Sequence, residues 1–398
     1  MKNSITAGLL LITTLFMGCQ QNEKEPLSQV IERGLQRATE QAILMAKELE
    51  NQEGVLPRST NPDGTLMTSD YHWWCSGFFP GELWYLYENN PTEELKKFAA
   101  LYTDRVEDYK NVTYTHDIGF VLNCSFGNGY RLTGNPHYAD VMVTGSNSLI
   151  SRYNEQVGAI RSWDFNTHIW QFPVIIDNMM NLELLTWTSR YTGNPIYGDI
   201  ACAHADKTID NHFRDDYSTF HVVSYDTITG NAHIHQTHQG YSDESSWARG
   251  QAWAIYGYTM MYRETGKKAY FEQAKNIANF IMHHPNMPED KIPYWDFDAP
   301  DIPNTPRDAS AGALIASALI ELSQMESSSL GKEYLAFAED QIRSLTSPAY
   351  LAEAGKNNNF VLMHSTGHLP GDSEVDVPLS YADYYYVEAL MRLKKLSE

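Results

Sequence analysis

The chain has 398 residues, 42% hydrophobic and 20% charged, which excludes a disordered or collagen-like polymer and supplies apolar material for a large core. Its 29 Lys and Arg against 50 Asp and Glu leave a net charge of −21; with no basic patch along the chain, nucleic acid is not an expected partner. Nine Trp and 25 Tyr exceed what packing needs, and such aromatic faces stack on flat apolar surfaces, of which sugar rings are one.

In chain order, residues 1–18 read as an export signal: Lys2 supplies the charge, Gly8 to Met17 the apolar stretch, and a small residue precedes Cys19. Leu15-Phe16-Met17-Gly18-Cys19 resembles a bacterial lipobox, in which the cysteine is lipidated and becomes the first residue. The competing readings are an ordinary cleaved signal or a short anchor. The apolar run is too short for a membrane span of about 20 residues, so membrane association is expected through a lipid on Cys19 alone, at the bacterial cell envelope. Residues 19–27 form a polar tether. Cys75, Cys124 and Cys202 are odd in number and lack metal-ligand spacing, so unpaired thiols are expected.

From residue 28 to 398 apolar residues recur at helical spacing and alternating β-branched runs are scarce. The chain also repeats itself. Arg131-Leu132-Thr133-Gly134-Asn135-Pro136 is echoed by Arg190-Tyr191-Thr192-Gly193-Asn194-Pro195 and again by Arg263-Glu264-Thr265-Gly266-Lys267-Lys268. Each unit predicts a helix ending on a glycine cap, a tight turn and a second helix. Tyr87-Glu88-Asn89-Asn90-Pro91 is a more distant copy before a helix over 92–101. A helix over 30–49 pairs with a closing helix over 381–393, and another pair spans 310–324 and 332–345. Six hairpins can close into an all-α, single-domain (α/α)6 barrel, with an open solenoid as the competing form. The apolar, small-residue-rich first helices should form the inner ring and the amphipathic second helices the outer one.

In such a barrel the loops leading into the inner helices converge on one mouth. Tyr114-Thr115-His116-Asp117 places an imidazole and a carboxylate there, and Phe172-Pro173-Val174-Ile175-Ile176-Asp177 embeds an Asp in an apolar run. A carboxyl so placed has a raised pKa and can donate a proton near neutrality; the bland reading of both acids is helix capping. Arg249 and Trp253 share one face of a helix whose other residues are small, and an inward Arg needs an anion. That anion is either a structural Asp or a ligand. His233, His235 and His238 match no standard metal spacing. Phosphate-binding glycine loops and Gly-x-Ser-x-Gly elbows do not occur.

Trp74-Cys75-Ser76-Gly77-Phe78-Phe79-Pro80-Gly81, His116-Asp117-Ile118-Gly119-Phe120, Ile176-Asp177-Asn178-Met179-Met180-Asn181, Trp247-Ala248-Arg249-Gly250-Gln251-Ala252-Trp253 and Pro378-Leu379-Ser380-Tyr381-Ala382-Asp383-Tyr384-Tyr385 resemble, in order, the motifs of the unsaturated glucuronyl hydrolases, glycoside hydrolase family 88. The resemblance implies an (α/α)6 barrel acting without cofactor or metal on oligosaccharides that end in a Δ4,5-unsaturated uronic acid. It implies Asp177 as general acid/base and Asp117 as the second essential carboxylate. His116, Trp163, His221, Gln239, Arg249 and Trp253 fall on substrate-contacting positions, with Trp74 as a stacking platform and Arg249 as partner of the uronate. Relatives acting on sulfated fragments carry a Ser/Lys loop; here Ser365-Thr366-Gly367-His368-Leu369-Pro370 has no lysine, so a strict sulfate requirement is not expected. An unsaturated rhamnogalacturonyl hydrolase or a two-carboxylate glycosidase on the same fold is the nearest alternative. A non-catalytic glycan-binding lipoprotein is the alternative of another class, and retention of both Asp117 and Asp177 argues against it.

Overall fold

The computed structural model describes residues 24–398; Cys19 and the export signal lie outside them. Helix α1 (Leu27–Leu49) is followed by five successive hairpins: α2 (Phe78–Asn89) with α3 (Glu93–Asp104), α4 and α5 (Ile118–Leu122, Asn128–Thr133) with α6 (Pro136–Ile150), α7 (Leu182–Thr192) with α8 (Pro195–His212), α9 (Ala248–Thr265) with α10 (Lys268–His283), and α11 (Ala309–Met325) with α12 (Ser329–Leu345). Helix α13 (Ser380–Ser397) packs on α1, α2 and α11, which closes the ring as a sixth pair. The fold is the expected (α/α)6 barrel.

The repeated turn works as the sequence implied. Gly134, Gly193 and Gly266 cap their helices at φ of 66°, 71° and 67°, a region that costs only glycine nothing. Asn135 and Asn194 then accept the amides of His137 and Ile196, and proline opens each following helix. The inner ring holds the more uniformly buried helices: α9 and α11 bury nearly every residue, whereas α10 buries only one stripe. The second inner helix is broken between α4 and α5 by a π-helical turn over Asn123–Gly127.

Among the described residues nine short strands in four small antiparallel sheets decorate the ring, and these were not foreseen. The pairs β1 (Leu56–Thr60) with β2 (Leu66–Ser69), β3 (Tyr153–Asn154) with β4 (Ala159–Ile160), and β8 (Ser365–His368) with β9 (Ser373–Val377) are hairpins. The fourth sheet orders β5 (Pro173–Ile175), β6 (Val222–Tyr225) and β7 (Ala232–Gln236) side by side. Runs of two to five residues are too short to show a period in the sequence. Cys75 and Cys124 are buried and unpaired, and Cys202 is half-buried and unpaired.

Candidate active site

Two acidic turns meet at the mouth. Asp117 occupies the position before α4, and Asp177 lies in the 3-10 turn Ile176–Asn181 that leads into α7; neither side chain caps its helix. The capping readings therefore fall away. Gly119 lets the two turns touch, because a Cβ there would sit 2.5 Å from the Cα of Asn181. The Phe120 amide donates to Asn181 Oδ1 at 2.8 Å and locks the contact. Both carboxyls line one cavity of about 360 Å3, within the size range of small-ligand pockets. A groove of about 630 Å3 between α1 and the end of α13 is larger, but it gathers no buried carboxyl pair.

The three-stranded sheet brings a histidine to each acid. Ile175 pairs with Val222 and the Ile176 amide donates to the His221 carbonyl at 3.1 Å, so His221 stands beside Asp177. His221 Nδ1 accepts the amides of His238 (3.0 Å) and Gln239 (3.1 Å). The neutral ring must then carry its proton on Nε2, which faces Asp177 Oδ2 at 3.8 Å. His116 repeats the device. Ser162 Oγ accepts the Ile175 amide at 2.9 Å and lies 3.3 Å from His116 Nδ1, to which its own proton can go. That leaves His116 Nε2–H 3.2 Å from Asp117 Oδ1. Thr115 Oγ1 donates to Asp117 Oδ2 at 2.5 Å.

Burial dominates the electrostatics. It raises Asp117 to about 7, with the Thr115 hydroxyl and then Arg152 opposing. It raises Asp177 to about 7 as well, with Arg249 opposing and the Asp117 charge adding. Burial lowers His116 to about 3 and drives His221 well below the ordinary range. Near neutral pH the site thus pairs carboxyls able to hold a proton with histidines that hold no charge. Asp177 Oδ2, His116 Nε2, His221 Nε2 and Trp253 Nε1 are buried without a completed hydrogen bond.

Arg249 has the structural anion. Its Nη1 binds Asp308 Oδ2 at 2.7 Å and the Thr366 carbonyl at 2.5 Å, while Nη2 binds the Gly367 carbonyl at 2.5 Å. Asp308 in turn caps α11 through the Ser310 and Ala311 amides. The guanidinium therefore clamps the β8–β9 hairpin to the mouth, and the need for an anion that pointed to the uronate is met within the protein. The clamp has work to do: His364, Asp372, Glu374 and Asp376 in that segment adopt positive φ, each a strained conformation for a residue with a Cβ.

Trp74, His116, Trp163, Gln239 and Arg249 line the cavity with the two acids. His221 and Trp253 do not. Trp253 is 0% exposed and packs on Phe120 and Tyr385, beside the Asp177 carboxyl. His221, 3% exposed, is likewise turned toward Asp177. Helical spacing gives a direction inward but not a depth. The sequence reading missed Phe165, which stacks on Trp163 at 4.7 Å, and the hairpin wall of His368 and Glu374. His238, set aside with His233 and His235, also lines the cavity. Among the described residues no group of three His, Cys, Asp or Glu could hold a metal ion, and no helix is long and apolar enough to cross a membrane.

A ring of six helical hairpins whose mouth gathers two protonatable carboxyls and an aromatic wall defines a barrel-type glycoside hydrolase. Residues 44–394 match the model of Glycosyl Hydrolase Family 88, and the chain belongs to that family. An unsaturated glucuronyl hydrolase of Formosa agariphila is 49% identical over 324 residues, covering 81% of this chain and 80% of the relative. Two solved structures are similar throughout. An unsaturated glucuronyl hydrolase specific for heparin gives a TM-score of 0.90 at 48% identity, covering 93% of this chain and 98% of that one. The unsaturated glucuronyl hydrolase of Bacillus sp. GL1, responsible for the degradation of glycosaminoglycan, gives 0.84 at 29% identity, covering 93% and 97%.

Proposed function

We propose that this protein is an unsaturated glucuronyl hydrolase that removes the Δ4,5-unsaturated uronic acid from the non-reducing end of lyase-generated, glycosaminoglycan-derived oligosaccharides. The observation that carries this reading is Asp177: a carboxyl in the cavity, raised to about 7, with one oxygen unpartnered. Attack on a vinyl ether begins with a proton on C4, and only a carboxyl still protonated near neutrality can give it. Asp177 transfers that proton to C4, and Asp117 on the facing turn balances the positive charge that develops at C5. Water adds at C5 and returns a proton to Asp177. The hemiketal opens, the glycosidic bond breaks, and a 4-deoxy-5-keto uronate leaves with the shortened sugar. Trp74 and Trp163 supply faces for the rings, Gln239 supplies a polar edge, and His116 is held against Asp117.

Arg249 contributes positive potential toward the uronate and holds the hairpin wall. Its fork is already engaged by Asp308, so it acts as clamp and field together. The lipobox-like segment ending at Cys19 supports an envelope-anchored enzyme. The test is incubation with lyase-made disaccharides from chondroitin, heparin, hyaluronan and pectin, following the ultraviolet absorbance of the conjugated double bond. Loss of absorbance with the glycosaminoglycan products is expected; turnover of the pectin product alone would favour the rhamnogalacturonyl alternative.

A further inference from the structure

The turn that carries His116 and Asp117 and the run that carries Trp163 and Phe165 are separate pieces of chain, and one side chain joins them from behind the cavity wall. Arg152, two residues past α6, is 8% exposed, and all three of its guanidinium nitrogens donate within the protein. Nε binds the Arg161 carbonyl at 2.8 Å, and Nη1 binds the Thr113 carbonyl. Nη1 and Nη2 also hold Asp164 Oδ2 and Oδ1, at 3.1 and 2.9 Å, in a two-pronged ion pair. Thr113 leads into Tyr114, Thr115, His116 and Asp117, every one of which lines the cavity. Asp164 separates Trp163 from Phe165, whose rings both line the cavity and stack at 4.7 Å. The acid turns back to Arg152 while its two neighbours face the cavity, as alternate side chains of an extended run do.

The ion pair matters because little else fixes that run. Ser162 is pinned on one side, its carbonyl accepting the His116 amide at 3.2 Å and its amide donating to the Pro173 carbonyl at 2.8 Å. Trp170 is pinned on the other, its indole N–H donating to Gln236 Oε1 at 2.8 Å. Between them, among the described residues, the hydrogen bonds from residues 163–169 to another element are those that Asp164 accepts. Phe165 and Ile169 are 45% and 42% exposed, so burial holds the run only partly. Its remaining holds are ring contacts, such as Trp163 edge-on to His238 at 5.3 Å.

We propose that Arg152 is a positioning residue: gripping the Thr113 carbonyl on one side and Asp164 on the other, it sets where the Trp163 and Phe165 rings stand relative to the Asp117 carboxyl. A sugar ring lying on that aromatic face is thereby held at a fixed place before the acids. The proposal rests on the reading of the cavity as a sugar-hydrolysing site. Arg152 does not line the cavity and its nitrogens are engaged, so it acts through the two segments and not on the substrate. Lysine is no substitute, because an ammonium lacks the planar fork that meets a carboxylate and two carbonyls at once. The Arg152 charge also opposes the rise that burial causes in Asp117. Substituting Asp164 leaves that cation in place and isolates the geometric role.

The test compares Asp164→Ala, Asp164→Asn and Arg152→Lys with the parent enzyme. Hydrogen exchange followed by mass spectrometry reads the two segments in the free protein, and kcat and KM on an unsaturated heparin or chondroitin disaccharide read the reaction. Asp164→Ala should speed exchange over residues 163–169 and leave 113–117 protected, whereas Arg152→Lys should speed it over both. In turnover, Asp164→Ala should raise KM about fivefold or more with kcat within about threefold, the mark of lost binding of the ring. Asp164→Asn keeps an acceptor for one prong and should lose less. Arg152→Lys also frees the acid turn, so kcat should fall as well, toward the ~10²-fold that a misplacement of about 1 Å costs. Because Asp164 acts through Trp163, adding Asp164→Ala to Trp163→Ala should change KM by less than about twofold. Independent losses that multiply in the double variant would overturn the proposal. So would unchanged exchange over 163–169 in Asp164→Ala, or a lower Tm there with parent-like KM and kcat. If Arg152→Lys does not fold, the Asp164 variants and the double variant still decide. If the parent acts on no unsaturated disaccharide, the functional reading fails, and the exchange pattern alone decides whether Arg152 couples the two segments.

Discussion

The two ends of the barrel treat buried charge in opposite ways. Toward the C-terminal ends of the inner helices, Glu321 binds Arg263 at 2.6 Å and Arg392 at 2.8 Å. Burial pushes Glu321 up, but Arg392 and Arg263 outweigh it and hold the carboxyl below its ordinary range. Glu388 beside them accepts the hydroxyls of Tyr85 and Tyr256 at 2.9 Å each and that of Ser317 at 2.5 Å. At the mouth, Asp117 and Asp177 are as deeply placed, but histidines without charge stand against them and both sit near 7. One end satisfies its carboxylates and gains rigidity; the other leaves them short of partners and gains a proton that can move. A buried acid is therefore informative only together with its partners.

Substitutions can break that contrast. The largest effect is expected for Asp177→Asn, which should keep the fold, as judged by circular dichroism, and lose about 10²–10⁴-fold in kcat. Next is Arg392→Ala at the opposite end. Removing one member of a buried, hydrogen-bonded network costs about 3–5 kcal/mol, so a sharply lower Tm is expected, with the pH profile of surviving activity unmoved. Arg249→Lys belongs to both ends in character. It should lower Tm through the loosened β8–β9 hairpin and lower kcat/KM together, with about 2–5 kcal/mol at stake for a truncated buried pair.

The pH dependence of stability sharpens the same comparison. Asp177 has a folded pKa near 7 against an ordinary value near 4, so the folded state binds the extra proton. That stabilisation is complete below about pH 4 and is lost as the pH rises through 7. Asp177→Asn should accordingly match the parent's Tm near pH 4 and exceed it at pH 8, with a ceiling of about 4 kcal/mol from three pKa units. The smallest catalytic effect is expected for Cys19→Ser, which should move the protein from the membrane to the soluble fraction and leave kcat unchanged.

The ring of hairpins was legible because its turns are chemical: glycine, asparagine and proline each do a local job at Gly134-Asn135-Pro136 and its copies. The acids were legible because polar residues interrupt apolar runs. The anion of Arg249 was not, since Asp308 lies in another hairpin and only folding brings the two together. The tautomer of His221 was equally hidden, because it depends on amides of His238 and Gln239 delivered by strand pairing. Ser365 to Pro370 was legible only as a loop without lysine; that it pairs with Ser373–Val377 as a hairpin walling the cavity was hidden, because strained hairpin backbone leaves no period in a sequence.

A mouth that hydrates the double bond, and does not attack the anomeric carbon, must deliver a solvent-derived proton to C4. Turnover of an unsaturated disaccharide in deuterated water, followed by proton NMR, tests it directly. One deuteron is expected at C4, on a single face, at the rate at which the alkene proton signal disappears, with the remaining sugar released no earlier. Release of the remaining sugar while the alkene signal is still intact would contradict it.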